Sequence, residues 1–206
     1  MITEQAARQL EHFAALTGEE MARLTRGMDR DYFACAVGLI QEARAAGRRL
    51  HVSGVGKPHH IGGYLASLLS STGTPSYFLD GTEATHGSAG QLEPGDVVIL
   101  LSYYGDVPEL VRTMETIRKL GVKIIAVTGF EDSAIAAGAD VSLNVHVREE
   151  GDSLKKPPRL SMLATLYAGM ALSLLLQESV GLTREQYLRW HPSGHLGQPE
   201  TKGGPL

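Results

Sequence analysis

The chain has 206 residues, 43% of them hydrophobic, which suits one domain of ordinary size with a sizeable core. Its 19 Lys and Arg against 23 Asp and Glu give a net charge of −4 with no basic block, which argues against nucleic acid as the main partner. Cys35 is the single cysteine, so no intrachain disulfide forms, as fits a reducing cytoplasm, and MITEQAARQLEHF lacks the basic start and apolar run of a signal peptide.

Along the chain, residues 3–26 place Leu10, Phe13, Ala14, Met21 and Leu24 at helical spacing, with a break expected at Thr17-Gly18. Residues 31–46 repeat the pattern with Phe33, Val37, Ile40 and Ala43, and Gly47 stops it. The rhythm then changes. Strands are expected at 50–55, 76–79, 97–101, 123–128 and 141–147. Helices are expected at 61–71, 108–120, 133–138, 160–179 and 183–190, the second opening on Pro108, whose missing N–H would be unpaired there anyway. Alternating strands and helices mean right-handed βαβ units and a parallel sheet. Runs such as DVVILL and KIIAV fit strands covered on both faces. The run LSMLATLYAGMALSLLL at 160–176 is slightly short for a membrane span and carries two serines and a threonine. It is expected as a helix buried within the domain or between subunits, with no membrane partner. One domain covers 1–206, with N-terminal helices to 48, an α/β core over 49–198 and a mobile tail over 199–206.

In such sheets ligands sit outside the carboxyl ends of the strands. The turns there are Ser53-Gly54-Val55-Gly56-Lys57, Asp80-Gly81-Thr82-Glu83, the stretch 102–106, Thr128-Gly129 and Arg148-Glu149-Glu150. GVGK lets the backbone approach a ligand, and a helix N-terminus behind it favours anions, with Lys57 adding charge. The Walker A spacing is absent, and the dinucleotide pattern fails because position 59 is His. By itself, GVGK also suits a tight strand-to-helix turn without a ligand.

Several segments together resemble a known family. VSGVGKPHHIG, STGTPSYFLDGTEATHGSAGQLEPGDVVILLSYYGDVPEL, IIAVTG and WHPSGHLG, in this order, resemble the sugar isomerase (SIS) domain, in the arabinose 5-phosphate isomerase branch, over roughly residues 5–198. Many relatives carry a CBS pair after this domain, and none is expected within these 206 residues. The resemblance implies a flavodoxin-like three-layer αβα sandwich with a five-stranded parallel sheet. It also implies a homotetramer or dimer with active sites between subunits, and aldose–ketose isomerisation through a cis-enediol without a cofactor.

That reaction needs a base poised near neutral pH, an acid for the oxygens and a donor for enediolate charge. The resemblance assigns these tasks to Lys57, His86, Asp106 (where a glutamate is usual), Glu150 and His191. Further substrate contacts are expected from Gly54, Gly56, His59, His60, Glu83, Ser102, Tyr103, Tyr104, Gly105, Arg159 and Ser161. Blander roles stand beside these: a solvated cap for Asp106, an acidic loop face for Glu150, a carbonyl-bonded His86 and a packed His191. The histidines 59, 60, 86, 191 and 195 could instead converge with Glu83 or Asp106 on zinc. No fixed spacing such as HExxH appears, so no catalytic metal is expected.

The phosphate equipment of the family is eroded here. Pro58 and His59 replace a serine and a glycine after GVGK. Tyr104 and Val107 replace serines in the third turn, and only Ser161 remains of a hydroxyl-rich helix start. A phenol in that turn fills the space where phosphate would nest and suits stacking on a sugar face. Arg159 and Lys57, helped by Lys155 or Lys156, would then read an anion. Isomerisation of a sugar or sugar phosphate is the expected activity. The alternatives are an isomerase or epimerase of a non-phosphorylated sugar and a non-catalytic regulatory SIS module.

Overall fold

The computed structural model describes residues 1–193, and the tail expected to be mobile lies outside them. Two long helices come first, α1 (Glu4–Gly27) and α2 (Arg30–Ala45). The break expected at Thr17-Gly18 does not occur. Thr17 returns its hydroxyl to the Phe13 carbonyl at 2.7 Å. The roughly 1 kcal/mol that glycine costs inside a helix is offset by burial of Leu16 and Leu24. Leu10, expected on the apolar face, is exposed.

The alternating region continues as β1 (Leu50–Gly54), α3 (Lys57–Ser71), β2 (Ser76–Asp80), β3 (Val97–Leu101), α4 (Pro108–Arg118), β4 (Lys123–Thr128), α5 (Ala134–Ala137) and β5 (Val141–Asn144). Helices α6 (Leu160–Val180) and α7 (Arg184–Trp190) close it. Two 3-10 turns after β2, Glu83–His86 and Ser88–Gln91, have no counterpart in the sequence expectations. The strands are parallel throughout and lie in the order β2-β1-β3-β4-β5, so the expected three-layer fold is the one found. Period-two alternation sorts the central strand between two cores. Val97, Ile99 and Leu101 pack with α1, α2, α3 and α6. Val98 and Leu100 pack with α4, α5 and the 3-10 turns.

Two boundaries shift for local reasons. α3 begins at Lys57, four residues before the expected Ile61, because Pro58 falls in its first turn, where no N–H is missed. β5 stops at Asn144 rather than Val147. Asn144 Oδ1 accepts the His146 N–H at 2.8 Å, and that side-chain turn ends the ladder.

α6 is long and apolar enough to cross a membrane by length and composition alone, and half of it is buried in this chain. It spans about 30 Å and leads away from the strand tips. Trp190, at the end of α7, comes within 3.8 Å of where a Cβ on Gly73 would stand. Gly73 precedes β2, so α7 lies at the amino ends of the strands, opposite the tips.

Candidate active site

Two clefts flank the Tyr103-Tyr104 pair at the carboxyl ends of the strands. The first, about 160 Å³, is lined by Val55, Lys57, Pro58, Ser102, Val107 and Met162, with both tyrosines and Ser161. β1 and α3 make one wall. The chain turns so sharply there that a Cβ on Gly54 would lie 2.9 Å from the Pro58 carbonyl carbon. Gly56 caps α3, and Lys57 is its first residue, exposed at the positive end of the helix. The second wall comes from β3. Ser102 Oγ accepts the Gly105 N–H at 3.1 Å and closes the turn. Gly105 has φ +74°, and a Cβ there would stand 2.2 Å from Ser133 Oγ, so both conformation and space demand glycine. The third wall is the start of α6. Ser161 Oγ is buried there without a hydrogen-bond partner, a polar group whose desolvation nothing within the chain offsets.

The second cleft, about 250 Å³, lies on the far side of the tyrosines. Tyr103, Tyr104, Phe130, His146, Val147, Arg148, Glu149, Glu150 and Lys155 line it. Neighbouring tyrosines diverge completely in role. Tyr103 is buried, donates its hydroxyl to the Val147 carbonyl at 2.9 Å and accepts the Val147 N–H at 3.2 Å. Burial pushes its phenol above the ordinary value, with the Val147 hydrogen bond opposing. Tyr104 is 56% exposed and stacks on Phe130 at 5.8 Å with 15° between the rings. Tyr104, expected to fill the phosphate position, stacks on Phe130 and lines both clefts.

Three acidic residues at the tips, Asp80, Asp106 and Glu150, serve as caps for downstream backbone. Glu150 is 5% exposed, and its Oε2 accepts the N–H groups of Arg159 at 2.7 Å and Ser161 at 3.2 Å, at the start of α6. Asp106 Oδ1 accepts the Ala134 N–H at 2.8 Å, at the start of α5. Asp80 accepts from the Glu83 N–H, the Thr82 hydroxyl and the Thr82 N–H, and these bonds hold its carboxyl below the usual range. Arg159, expected to read an anion, instead pairs its guanidinium with Asp152.

The remaining candidates are dispersed. His59 sits 3.5 Å from Asp80 and edge-on to Phe78 at 4.6 Å, on the β2 side of α3. His60, Glu83 and His86 are exposed, and none of them lines either cleft. His191 stacks on Tyr187 at 4.0 Å, with Nδ1 2.8 Å from the Tyr187 carbonyl, at the opposite end of the molecule. His195 lies outside the described residues, among which no three His, Cys, Asp or Glu side chains converge as a metal site would require. Sequence reasoning missed His146 and Phe130, which no motif marks.

The loop carrying Glu150 is tied to α1. Glu20, fully buried, accepts from Arg23 at 2.8 Å, from the Arg148 N–H at 3.2 Å and from the Arg148 guanidinium. Burial alone would raise its pKa, but the Arg23 and Arg148 hydrogen bonds overcome this and hold it below the ordinary value.

Residues 45–175, from the end of α2 through most of α6, match the SIS domain. The chain belongs to the SIS domain family. Within that family it is 37% identical over 185 residues to the arabinose 5-phosphate isomerase KdsD of Pseudomonas aeruginosa, covering 86% of this chain and 57% of that protein. Against KdsD of Escherichia coli K12 it is 41% identical over 147 residues, covering 71% and 45%. The chain thus spans about half the length of these curated relatives. Among solved SIS structures, E. coli CFT073 c3406 in complex with arabinose 5-phosphate superposes with a TM-score of 0.85 at 31% identity, over 93% of this chain and all of that one.

Proposed function

We propose that this SIS domain isomerises an aldose and a ketose, with a sugar phosphate as the first substrate class to test. The observation that carries this is the lysine cleft: an exposed Lys57 and a buried, unpartnered Ser161 hydroxyl facing one space beside Glu150. The relatives named as arabinose 5-phosphate isomerases, and a neighbour holding arabinose 5-phosphate, support it. In the reaction a base removes the proton on C2 of the aldose while O1 gains a proton, giving the cis-enediol. Loss of the O2 proton and protonation of C1 complete the ketose. Lys57 would hold the enediolate charge, and Glu150 would serve as the carboxylate base.

His191 requires a second subunit for this scheme. It lies a helix length from the tips, so a histidine at the site would come from a neighbouring copy. The apolar outer face of α6 supports such pairing: Met170, Leu174 and Leu175 are exposed. A groove of about 550 Å³ runs beside it, lined by Met28, Phe33, Val37 and Leu174 among others. Mixing inactive Lys57→Ala and His191→Ala chains after unfolding and refolding would restore about a quarter of wild-type activity, the share expected of random two-fold pairing with shared sites.

The altered phosphate loop remains part of this proposal. Val55, Pro58, Val107 and Met162 give the lysine cleft an apolar lining, which suits fewer anion contacts than a hydroxyl-rich cradle. A second reading, a non-catalytic sugar-phosphate module, is favoured by the capping duties of Asp106 and Glu150, which engage the acids that chemistry would need. Deuterium exchange from solvent into a panel of aldose and ketose phosphates and free sugars separates the two. Exchange at C1 or C2 supports the isomerase; binding without exchange in any member supports the module.

A further inference from the structure

The second cleft carries chemistry of its own. Its floor is aromatic: Tyr104 and Phe130 stack, and His146 meets Phe130 edge-on at 5.4 Å. Its rim is charged, yet each of those charges already has a partner. Arg148 pairs with Glu19 and Glu20, Lys155 with Glu149 at 3.2 Å, and Glu150 with the two α6 amides. Each cation at the rim is answered by a carboxylate, so an anion entering here meets no uncompensated positive charge. An apolar guest would instead leave the rim's spare lone pairs and N–H groups without water or partner.

The ligand that suits both surfaces has one C–H face and a girdle of hydroxyls, each a donor and an acceptor. Hydroxyls can bond to Lys155, Glu149 and His146 without breaking the existing ion pairs. The volume, about 250 Å³, lies below the ~300–1,000 Å³ of drug-sized ligands and suits a single small ring. The backbone is arranged to hold Lys155 at this rim. Lys155 is the only non-glycine residue with positive φ among the described residues, at 50°. Asp152 Oδ1 fixes it there by accepting the N–H groups of Leu154 at 2.7 Å and Lys155 at 3.0 Å.

We propose that this cleft binds an uncharged monosaccharide ring, stacked on Tyr104 and Phe130 with its hydroxyls on Glu149, Lys155 and His146. The site adjoins the lysine cleft and does not depend on turnover there. Methyl pyranosides are the probes, because a locked glycoside cannot open and so cannot be an isomerase substrate. Titration of the full chain with a panel of methyl glycosides, read by calorimetry and saturation-transfer NMR, is expected to find at least one that binds. Tyr104→Ala and the gentler Tyr104→Leu are expected to weaken it about tenfold, the scale of one lost aromatic contact. Lys57→Ala and added inorganic phosphate are expected to leave it unchanged. The proposal is overturned if no glycoside binds, if binding survives both Tyr104 substitutions in full, or if Lys57→Ala or phosphate abolishes it. Preference for methyl glucuronide over its neutral counterpart also overturns it. Failure of sugar-phosphate exchange would touch only the isomerase assignment.

Discussion

Two clefts, separated by the width of a tyrosine pair, are built on opposite electrostatic plans. In the lysine cleft the groups are left unfinished: Lys57 is exposed on a helix start, and the Ser161 hydroxyl is buried with nothing to bond. In the aromatic cleft every ion has been answered from within the chain, and two rings supply the surface instead. The difference teaches that net charge near a strand tip says little about what binds there. The deciding quantity is the charge left uncompensated once caps and ion pairs are counted.

Glu150 stands between the clefts, and substituting it gives the largest expected effect. Glu150→Gln keeps an acceptor for the α6 amides but removes the base, so isomerase turnover should fall by about 10²–10⁴ while the chain stays folded. Glu150→Ala should in addition lower unfolding free energy by about 2–3 kcal/mol, since two N–H groups lose their acceptor. Urea denaturation beside a turnover assay tells the two apart, and equal activity loss with no stability difference would show that the cap is unimportant. Next, Lys57→Met should reduce turnover about 100-fold without altering glycoside binding next door. Loss of both would merge the clefts into one site.

Smaller effects test the tyrosine wall. Tyr103→Phe removes the hydroxyl that bonds Val147 in both directions and should cost about 1–2 kcal/mol of stability, measured by the denaturation midpoint. A change within error would mean that the loop after β5 holds its place without it. Smallest is a pH effect far from both clefts. His51 is buried, and burial depresses its pKa below the ordinary 6.5, with Asp96 at 3.4 Å opposing. The unfolded chain therefore takes up a proton first. The stability from a neutral His51 is complete above pH 6.5 and is lost as pH falls toward the lowered folded value. His51→Leu should flatten the stability curve over that window; an unchanged slope would assign the acid sensitivity to Asp80, Asp140 or Glu20, whose lowered pKa values act at more acid pH.

The sheet was legible because strands covered on both faces read as unbroken apolar runs, as in DVVILL and KIIAV. The 3-10 turns after β2 were not, since their four-residue spans set no periodicity. At the site, of the residues expected from the tip loops, Lys57, Ser102 and Ser161 share a cleft. Residue type could not say that Tyr103 turns inward and Tyr104 outward, for adjacent side chains differ only by backbone geometry. Nor could it say that Arg159 would be claimed by Asp152, seven residues back, or that His146 would share a cleft with Glu150. Those outcomes depend on side-chain direction in loops, where no repeat constrains it.

Glu20 links the first helix to the strand-five loop through a buried carboxylate shared by Arg23 and Arg148. For anyone recombining SIS domains, α1 and that loop therefore form one exchangeable cassette. Transplanting residues 145–159 without α1 would strand Arg148 without its counter-ion and let the capping glutamate drift from the helix it steadies.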